Sequence, residues 1–459
     1  MEGTGPGKTS RREFLKKSMN GLAGFATAQY FTLTPGLGQA AGDEKIVSSS
    51  TRMEPNPVVK VLRWSAFVQD DEDLWMTNTR RWEKLTGGRV ETDFLSWQDV
   101  RPKAAMEATI GAGHDIVFGW YDDPHLYPEK LLNLTDIAEY LGKKYGGWYP
   151  NCGTYGRVTG TNRWIALPLG LLGHCLNYRK SHVQAAGFEK MPNDIAGLLK
   201  CCKALKAKRY PTGFALGHAV GDANAWTHWW LWSFGGKAVE ADGKTIAVNT
   251  PKTIQSLETA RELYDTMIPG VENWLDPDNN KAFLSGTISL TTNGSSIVYD
   301  AKRNSPKIDS DLAVVNLPVG PVGNPAELSV ISSGFIFKHT PVPKAARHYL
   351  MFMFEAEQYG PWIGGSFGYI TQALKYYYDL SSWKQDPRIT PYRECASRVL
   401  PNSHAGPLGK TSAAAMSEYI IVDMFAEACT GRRTTRQAAL VAEKKLARLY
   451  KPGRTVYPG

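Results

Sequence analysis

Apolar positions in VVKVLRWSAF (58–67) form a short run rich in valine, which predicts a buried strand. In the next segment, DEDLWMTNTRRWEKLTG, Leu74, Trp75, Trp82 and Leu85 recur near helical spacing and Gly87 follows, so a helix stopped at glycine is predicted. RVETDFLS predicts a second strand. DVRPKAAMEATIGAG predicts a second helix with Pro102 in its first turn, and HDIVFGW (114–120) a third strand. Strands and helices alternating in this way predict an α/β protein, with a parallel sheet covered by helices.

The alternation continues. LTDIAEYL predicts a helix, and RWIALPLGLLGHCLNYRK two strands jointed between Pro168 and Gly173. NDIAGLLKCCKALKAK predicts a helix capped by Asn193 or Asp194, and TGFALGHA a strand. GDANAWTHWWLW (221–232) then places four tryptophans within seven positions. As a helix it would put Asp222, Trp226, Trp229 and Trp230 on one face, with Asn224 and His228 on the other. Either Asp222 or Asn224 would serve as its cap. Trp229 and Trp230 read as core. Asp222, Asn224 and Trp226, at the carboxyl end of a strand, read as ligand contacts. Further on, Pro251 opens a long helix. KAFLSGTISLTTNGSSIVYDAKR predicts helix, strand, a turn at Asn293–Gly294 and helix. DLAVVNLPVGPVGNP and ELSVISSGFIFK each predict a strand, and the remainder is mainly helical. Near the end, Thr434 and Gln437 fit a capping box ahead of an apolar stripe of Ala438, Val441, Ala442, Leu446 and Leu449.

The chain has 459 residues, enough for two or three domains or lobes, and its 42% apolar and 21% charged content is that of a soluble globular protein. Fourteen tryptophans and twenty-one tyrosines are more than a core of this size ordinarily uses. The net charge of +9 is spread along the chain without a recognition-helix or RNA-binding motif, so no nucleic-acid partner is expected. Six cysteines include no CxxC pair. They read as buried thiols, with one unassigned disulfide left open. No histidine cluster, EF-hand or phosphate-binding glycine motif stands out, so neither metal nor cofactor is expected. GGSFG (364–368) matches G-x-S-x-G, but the segment before it reads as helix rather than strand. It is better read as a glycine-rich loop than as a nucleophile elbow.

The start, TSRREFLKKSMNGLAGFATAQYFTLTPGLGQAAG, pairs Arg11 with Arg12 ahead of a modest apolar stretch and small residues at Gly38–Ala40. This pattern looks like a twin-arginine export signal over residues 1–40, cleaved near Ala40. A polar linker (41–57) follows, and a short tail (451–459) ends the chain. A free periplasmic protein carried by the twin-arginine translocase is expected.

AFLSGTISLTTNGSS, NLPVGPVGNPAELSVISSGFIFKHTPVPKAARHYLMFMFEAEQY and GHAVGDANAWTHWWLWSFGGKAVEADGKT resemble the family 1 extracellular solute-binding proteins, the carbohydrate-type receptors of ABC importers. The likeness covers roughly residues 58–450. It implies a type II periplasmic-binding-protein fold: two α/β lobes, each a mainly parallel sheet flanked by helices, with a ligand cleft between them. The lobes would be 58–166 with 333–390, and 167–332 with 391–450, crossing at ALPLG (166–170) and SSGFIFK (332–338). Loops expected at the cleft supply Phe67, Asp70, Trp97, Gln98, Trp120, Tyr121, Asp122, Asp222, Asn224, Trp226, Asn293, Ser295, Trp362, Gly365, Phe367 and Tyr369. One departure is Ser296, where relatives often carry tryptophan. The implied role is non-enzymatic: a monomer that captures a sugar, oligosaccharide or polyol by lobe closure and delivers it to ABC permease subunits. The alternatives are a secreted serine hydrolase using Ser366, and a binder of a polyamine or organic anion. Asp70, Asp122 and Asp222 keep a cationic solute open.

Overall fold

Two β-sheets, each fed by several passes of the chain, organise residues 53–451, which are the residues the computed structural model describes. The expected signal with Arg11 and Arg12, the linker up to residue 52 and the tail from 452 lie outside the described residues. The first sheet has the order β2-β1-β3-β8-β4, with β1 at Val58–Trp64, β2 at Arg89–Leu95, β3 at Ile116–Trp120, β4 at Leu167–Leu172 and β8 at Val330–Ile336. The second has the order β6-β5-β7, with β5 at Cys175–Arg179, β6 at Leu290–Asn293 and β7 at Leu312–Val315.

Seventeen helices cover the sheets among the described residues. The first four are α1 (Gln69–Thr86), α2 (Trp97–Ile110), α3 (Thr135–Lys144) and α4 (Pro150–Gly156). Then come α5 (Lys180–Ala185), α6 (Ile195–Ala207), α7 (Asp222–Ser233), α8 (Pro251–Tyr264), α9 (Asp276–Leu284), α10 (Ser296–Asn304) and α11 (Pro306–Asp309). The last are α12 (Pro343–Met353), α13 (Ala356–Gly365), α14 (Thr390–Glu394), α15 (Lys410–Ser417), α16 (Ile420–Cys429) and α17 (Thr435–Leu449). Helix α1 stops at Gly87, whose φ of +74° is open to glycine at little cost. Helix α17 starts from the expected capping box: Thr434 Oγ1 accepts the Gln437 N–H, and Gln437 Oε1 accepts the Thr434 N–H.

The two-sheet α/β organisation is the expected one, but strand direction differs from expectation. Only β1 with β2 and β1 with β3 run parallel. Strand β8 is antiparallel to both of its neighbours, β3 and β4. The segments anticipated as crossings thus pair with each other inside the first sheet, which brings β4 and all of β8 into its ladder. In the second sheet β6 and β7 flank β5, and both run opposite to it. The chain enters this sheet at β5 directly from β4, through Gly173 and His174 alone. The β6–α10–β7 crossover then straddles β5 from the other direction. TGFALGHA is not a strand in the structure. Its N–H groups go largely to irregular chain: Thr212 N donates to Thr266 O and Leu216 N to Val271 O, while Gly213 N alone reaches Leu290 O in β6.

Helix α7 is buried on every side, from Asp222 to Ser233. A helix with no wet face belongs to an interior, and α7 is enclosed by β6, α8 and α16. Its caps differ from expectation too: the N-cap position is Gly221, and no side chain of its own caps the helix. All six cysteines are free and buried. In the first lobe's core, the buried ion pair Arg63–Asp71 sits with the guanidinium over the rings of Trp64 and Trp75. Among the described residues no helix is long and apolar enough to cross a membrane.

Candidate functional site

The carboxyl ends of β1, β2 and β3 carry three rings in a ladder. Phe67 stacks on Trp97 with centroids 5.4 Å apart, and Trp97 stacks on Trp120 at 4.2 Å and 24°. The Trp120 indole N–H donates to the Trp97 carbonyl, which fixes the register of the pair. Trp120 is fully buried behind Trp97. Trp97 itself reaches the amino end of α7: a Cβ on Gly221 would lie 3.1 Å from its ring, and 3.3 Å from Val330 of β8. Glycine there is what lets the two lobes meet this closely. Tyr121 follows with φ of +48°, a left-handed conformation that tyrosine rarely adopts, and its hydroxyl donates to the Val220 carbonyl.

The opposite wall comes from the joint and the second sheet. His174, between β4 and β5, places Nε2 3.3 Å from Asp222 Oδ1. A Cβ on Gly294 would lie 3.7 Å from the Gly173 carbonyl, so the turn before Ser295 abuts the joint. Ser329 precedes Val330, whose partner in the ladder is Leu172. In this region five buried polar atoms have no protein hydrogen-bond partner: Trp97 Nε1, His174 Nδ1, Asp222 Oδ1, Ser295 Oγ and Ser329 Oγ. Buried polar groups ordinarily find partners. Of these, Trp97 Nε1 belongs to the ladder, and His174 and Asp222 lie at the end of α7 that Trp97 touches. That set matches a solute with C–H faces and hydroxyl edges.

At the rim, Asp70 pairs with Arg303 of α10, and the same guanidinium lies 4.4 Å from the Tyr299 ring centroid. Arg303 and Tyr299 with Ala66, Phe67, Gln69, Asp300 and Asn304 bound a groove of about 610 Å³. Phe367 (φ +56°) approaches it, with Lys302 Nζ 5.2 Å from its ring. The Tyr369 hydroxyl accepts the Phe67 N–H. Gln98 Nε2 reaches Asp276 Oδ2 at 3.4 Å.

Other expected contacts lie elsewhere. Trp226 is enclosed by Phe214, Trp230 and Phe425, and its N–H donates to the Ala215 carbonyl. Trp362 packs on Trp75 and Tyr359 and donates to the Asp71 carbonyl. Both are core rings, because the faces they present are covered and their one donor is used. Gly365 sits in the last turn of α13 against Leu74. Asn293 bonds to Asn280 and accepts from Ser296, so the serine that replaces a relative's tryptophan closes an internal network. Asp122 accepts from Asn402 and Ser412. Asn224 donates to Val220 O and lines a separate cavity of about 20 Å³ with His228, Asn402, Ser412 and Tyr450. Ser366, the nucleophile of the alternative hydrolase reading, is buried at the end of α13 and donates to the Ile363 carbonyl, with no strand before it.

Sequence reading missed His174 and Asp276. The glycine-flanked joint between two predicted strands was a signal for His174. Asp276 has none, since its partners are 54 to 56 residues away. Burial, then the adjacent Asp222 carboxylate, push Asp276 up to about 7 against the three backbone N–H groups it accepts. Burial likewise pushes Glu327 to about 7, offset by Arg398. Both folded values exceed the unfolded ones, so the stability these groups contribute is full at acid pH and lost as pH rises through about 7. Burial depresses His228 to about 4, which acts oppositely but only below its ordinary value of 6.5. The unfolding free energy should therefore fall between about pH 5 and 7, by up to about 1.4 kcal/mol per pH unit and group and partly offset by His228 below 6.5, and level off above about 7.5. Glu327→Gln should flatten that slope, and an equal slope in native and variant protein would refute the assignment.

A family model described as "Bacterial extracellular solute-binding protein" matches residues 77–391. No curated protein sequence matches the chain. Among solved structures, the GacH receptor of Streptomyces glaucescens, determined unliganded and with acarbose, is 17% identical over 87% of this chain and 100% of its own, with a TM-score of 0.73. Maltose-bound MalE3 of T. maritima is 19% identical over 85% and 100%, with a TM-score of 0.73. A solute-binding protein from Agrobacterium radiobacter K84 in complex with ribitol is 16% identical over 86% and 100%, with a TM-score of 0.71. At these identities the likeness is one of fold.

Proposed function

The chain belongs to the bacterial extracellular solute-binding proteins, and we propose that it captures an uncharged polyhydroxyl solute, a sugar, oligosaccharide or polyol, for an ABC importer. The observation that carries this reading is the Phe67–Trp97–Trp120 ladder, whose Trp97 N–H is unpartnered, meeting the Gly221–Asp222 end of α7, where Asp222 Oδ1 and His174 Nδ1 are unpartnered as well. Rings cover the C–H faces of such a solute, while Asp222, His174, Ser295 and Ser329 bond its hydroxyls. Excluding water from the gap strengthens those bonds. Solute favours the closed arrangement only by the contacts it gains from both walls together. Names of structural neighbours point the same way, since acarbose, maltose and ribitol are all polyhydroxyl compounds.

The alternatives are poorly supplied. A polyamine needs several free carboxylates, yet Asp70 is paired with Arg303 and Asp122 is held by Asn402 and Ser412, which leaves Asp222 alone, with His174 Nε2 3.3 Å from it. An anion needs an arginine or an open helix end, and the amino end of α7 is already filled. A hydrolase needs an activated nucleophile, and Ser366 is turned into its own helix. A monomer exported by the twin-arginine translocase to the periplasm, docking on permease subunits, completes the reading. We place the joint between the lobes at Gly173–His174, because β4 and β8 both pair within the first sheet.

A thermal-shift panel of maltose, tagatose, ribitol, spermidine and citrate tests it. A neutral compound at 100 times its Kd should stabilise the protein by about 2.7 kcal/mol. Shifts from spermidine or citrate with none from the neutral set would overturn the proposal.

A further inference from the structure

Helix α7 begins beside Trp97 with no cap of its own, since Gly221 stands at its N-cap position. Its first N–H groups are nevertheless satisfied. Asp276, the first residue of α9, turns its carboxylate onto them: Oδ2 accepts Val220 N–H at 2.8 Å, and Oδ1 accepts Gly221 N–H at 2.8 Å and Asp222 N–H at 2.9 Å. The side chain is buried, and on its remaining side Oδ2 meets Gln98 from the opposite lobe. A helix amino end with converging N–H groups attracts anions. Here the anion is part of the chain, covalently tethered and placed behind the Trp97 contact.

We propose that Asp276 is an internal counter-anion that occupies the anion-binding end of α7 and thereby sets the cleft to take uncharged solutes and reject anionic ones. The inference rests on the cleft being the solute site, and it adds the residue that selects by charge. The mechanism is local. With the helix end neutralised and the Asp222 carboxylate beside it, an incoming carboxylate or phosphate meets no unfilled N–H group and a like charge nearby. A neutral polyol meets only the hydroxyl-bonding groups.

Removing the carboxylate should recreate an empty anion site, which a small exogenous carboxylate can fill. At pH 8, Asp276→Ala should melt several degrees below the native protein. Sodium formate should restore most of that loss, beyond any effect of sodium chloride at equal ionic strength. Asp276→Asn leaves no room for formate, and like the native protein it should not respond. If Asp276→Ala does not fold, Asp276→Ser keeps one accepting oxygen, leaves space and serves in its place. An equal formate response in all proteins, or none in the alanine and serine variants, overturns the counter-anion. In the same assay gluconate should stabilise the alanine or serine variant and not the native protein. The same shift in both, or none in either, overturns the charge selection. The formate readout needs no solute, so it can fail while the neutral panel succeeds, and the reverse.

Discussion

Trp226→Ala loses about 3–5 kcal/mol of stability and leaves solute affinity within about twofold of native for the molecules that remain folded. The indole is fully buried, edge-on to Trp230 and Phe425 and close to Phe214. Truncation removes those contacts and leaves a cavity that α16 and α8, packed by their own neighbours, cannot collapse to fill. It also orphans the Ala215 carbonyl that the ring N–H serves. Urea unfolding with an unchanged m-value, beside calorimetric titration with the solute, separates the two effects. A large loss of affinity with unchanged stability would return Trp226 to the binding surface.

Trp97→Ala gives the opposite profile. Affinity falls by roughly 30- to 150-fold, about 2–3 kcal/mol, from lost ring contact and the lost indole donor. Trp97 is the ring of the ladder that touches the second lobe at Gly221 and carries an unpartnered N–H. Trp120, behind it, then stands open to solvent, so a modest loss of stability accompanies the change. Affinity in Trp97→Ala equal to native would remove the ladder from the site.

The two variants show what a sequence can disclose about its aromatic residues. Spacing placed Trp226, Trp229 and Trp230 on one face of a helix, and they are. Periodicity carries no signal that the opposite face is covered as well, because burial of His228 and Asn224 is decided by α15, α16 and α17, some two hundred residues later. Local patterns fixed most strands and helices, since each is driven by its own apolar stripe and stop signals. Strand direction was less legible: β8 and β4 read as ordinary strands, and only their pairing across the fold reveals that they run against each other. The ladder residues after β1, β2 and β3 were legible because strand ends are recognisable. Asp276 acts through backbone groups 54 to 56 positions away, and nothing in LDPDNN distinguishes it from an ordinary acidic first turn.

The two-residue link between β4 and β5 carries a final implication. Its flanking strands are each locked into a ladder, so a swing of one sheet against the other concentrates torsion at Gly173 and His174. His174 is also a residue proposed to hold the guest. Recognition and bending therefore share a peptide, and a solute that seats well on the imidazole immobilises the pivot itself instead of wedging the jaws from their tips.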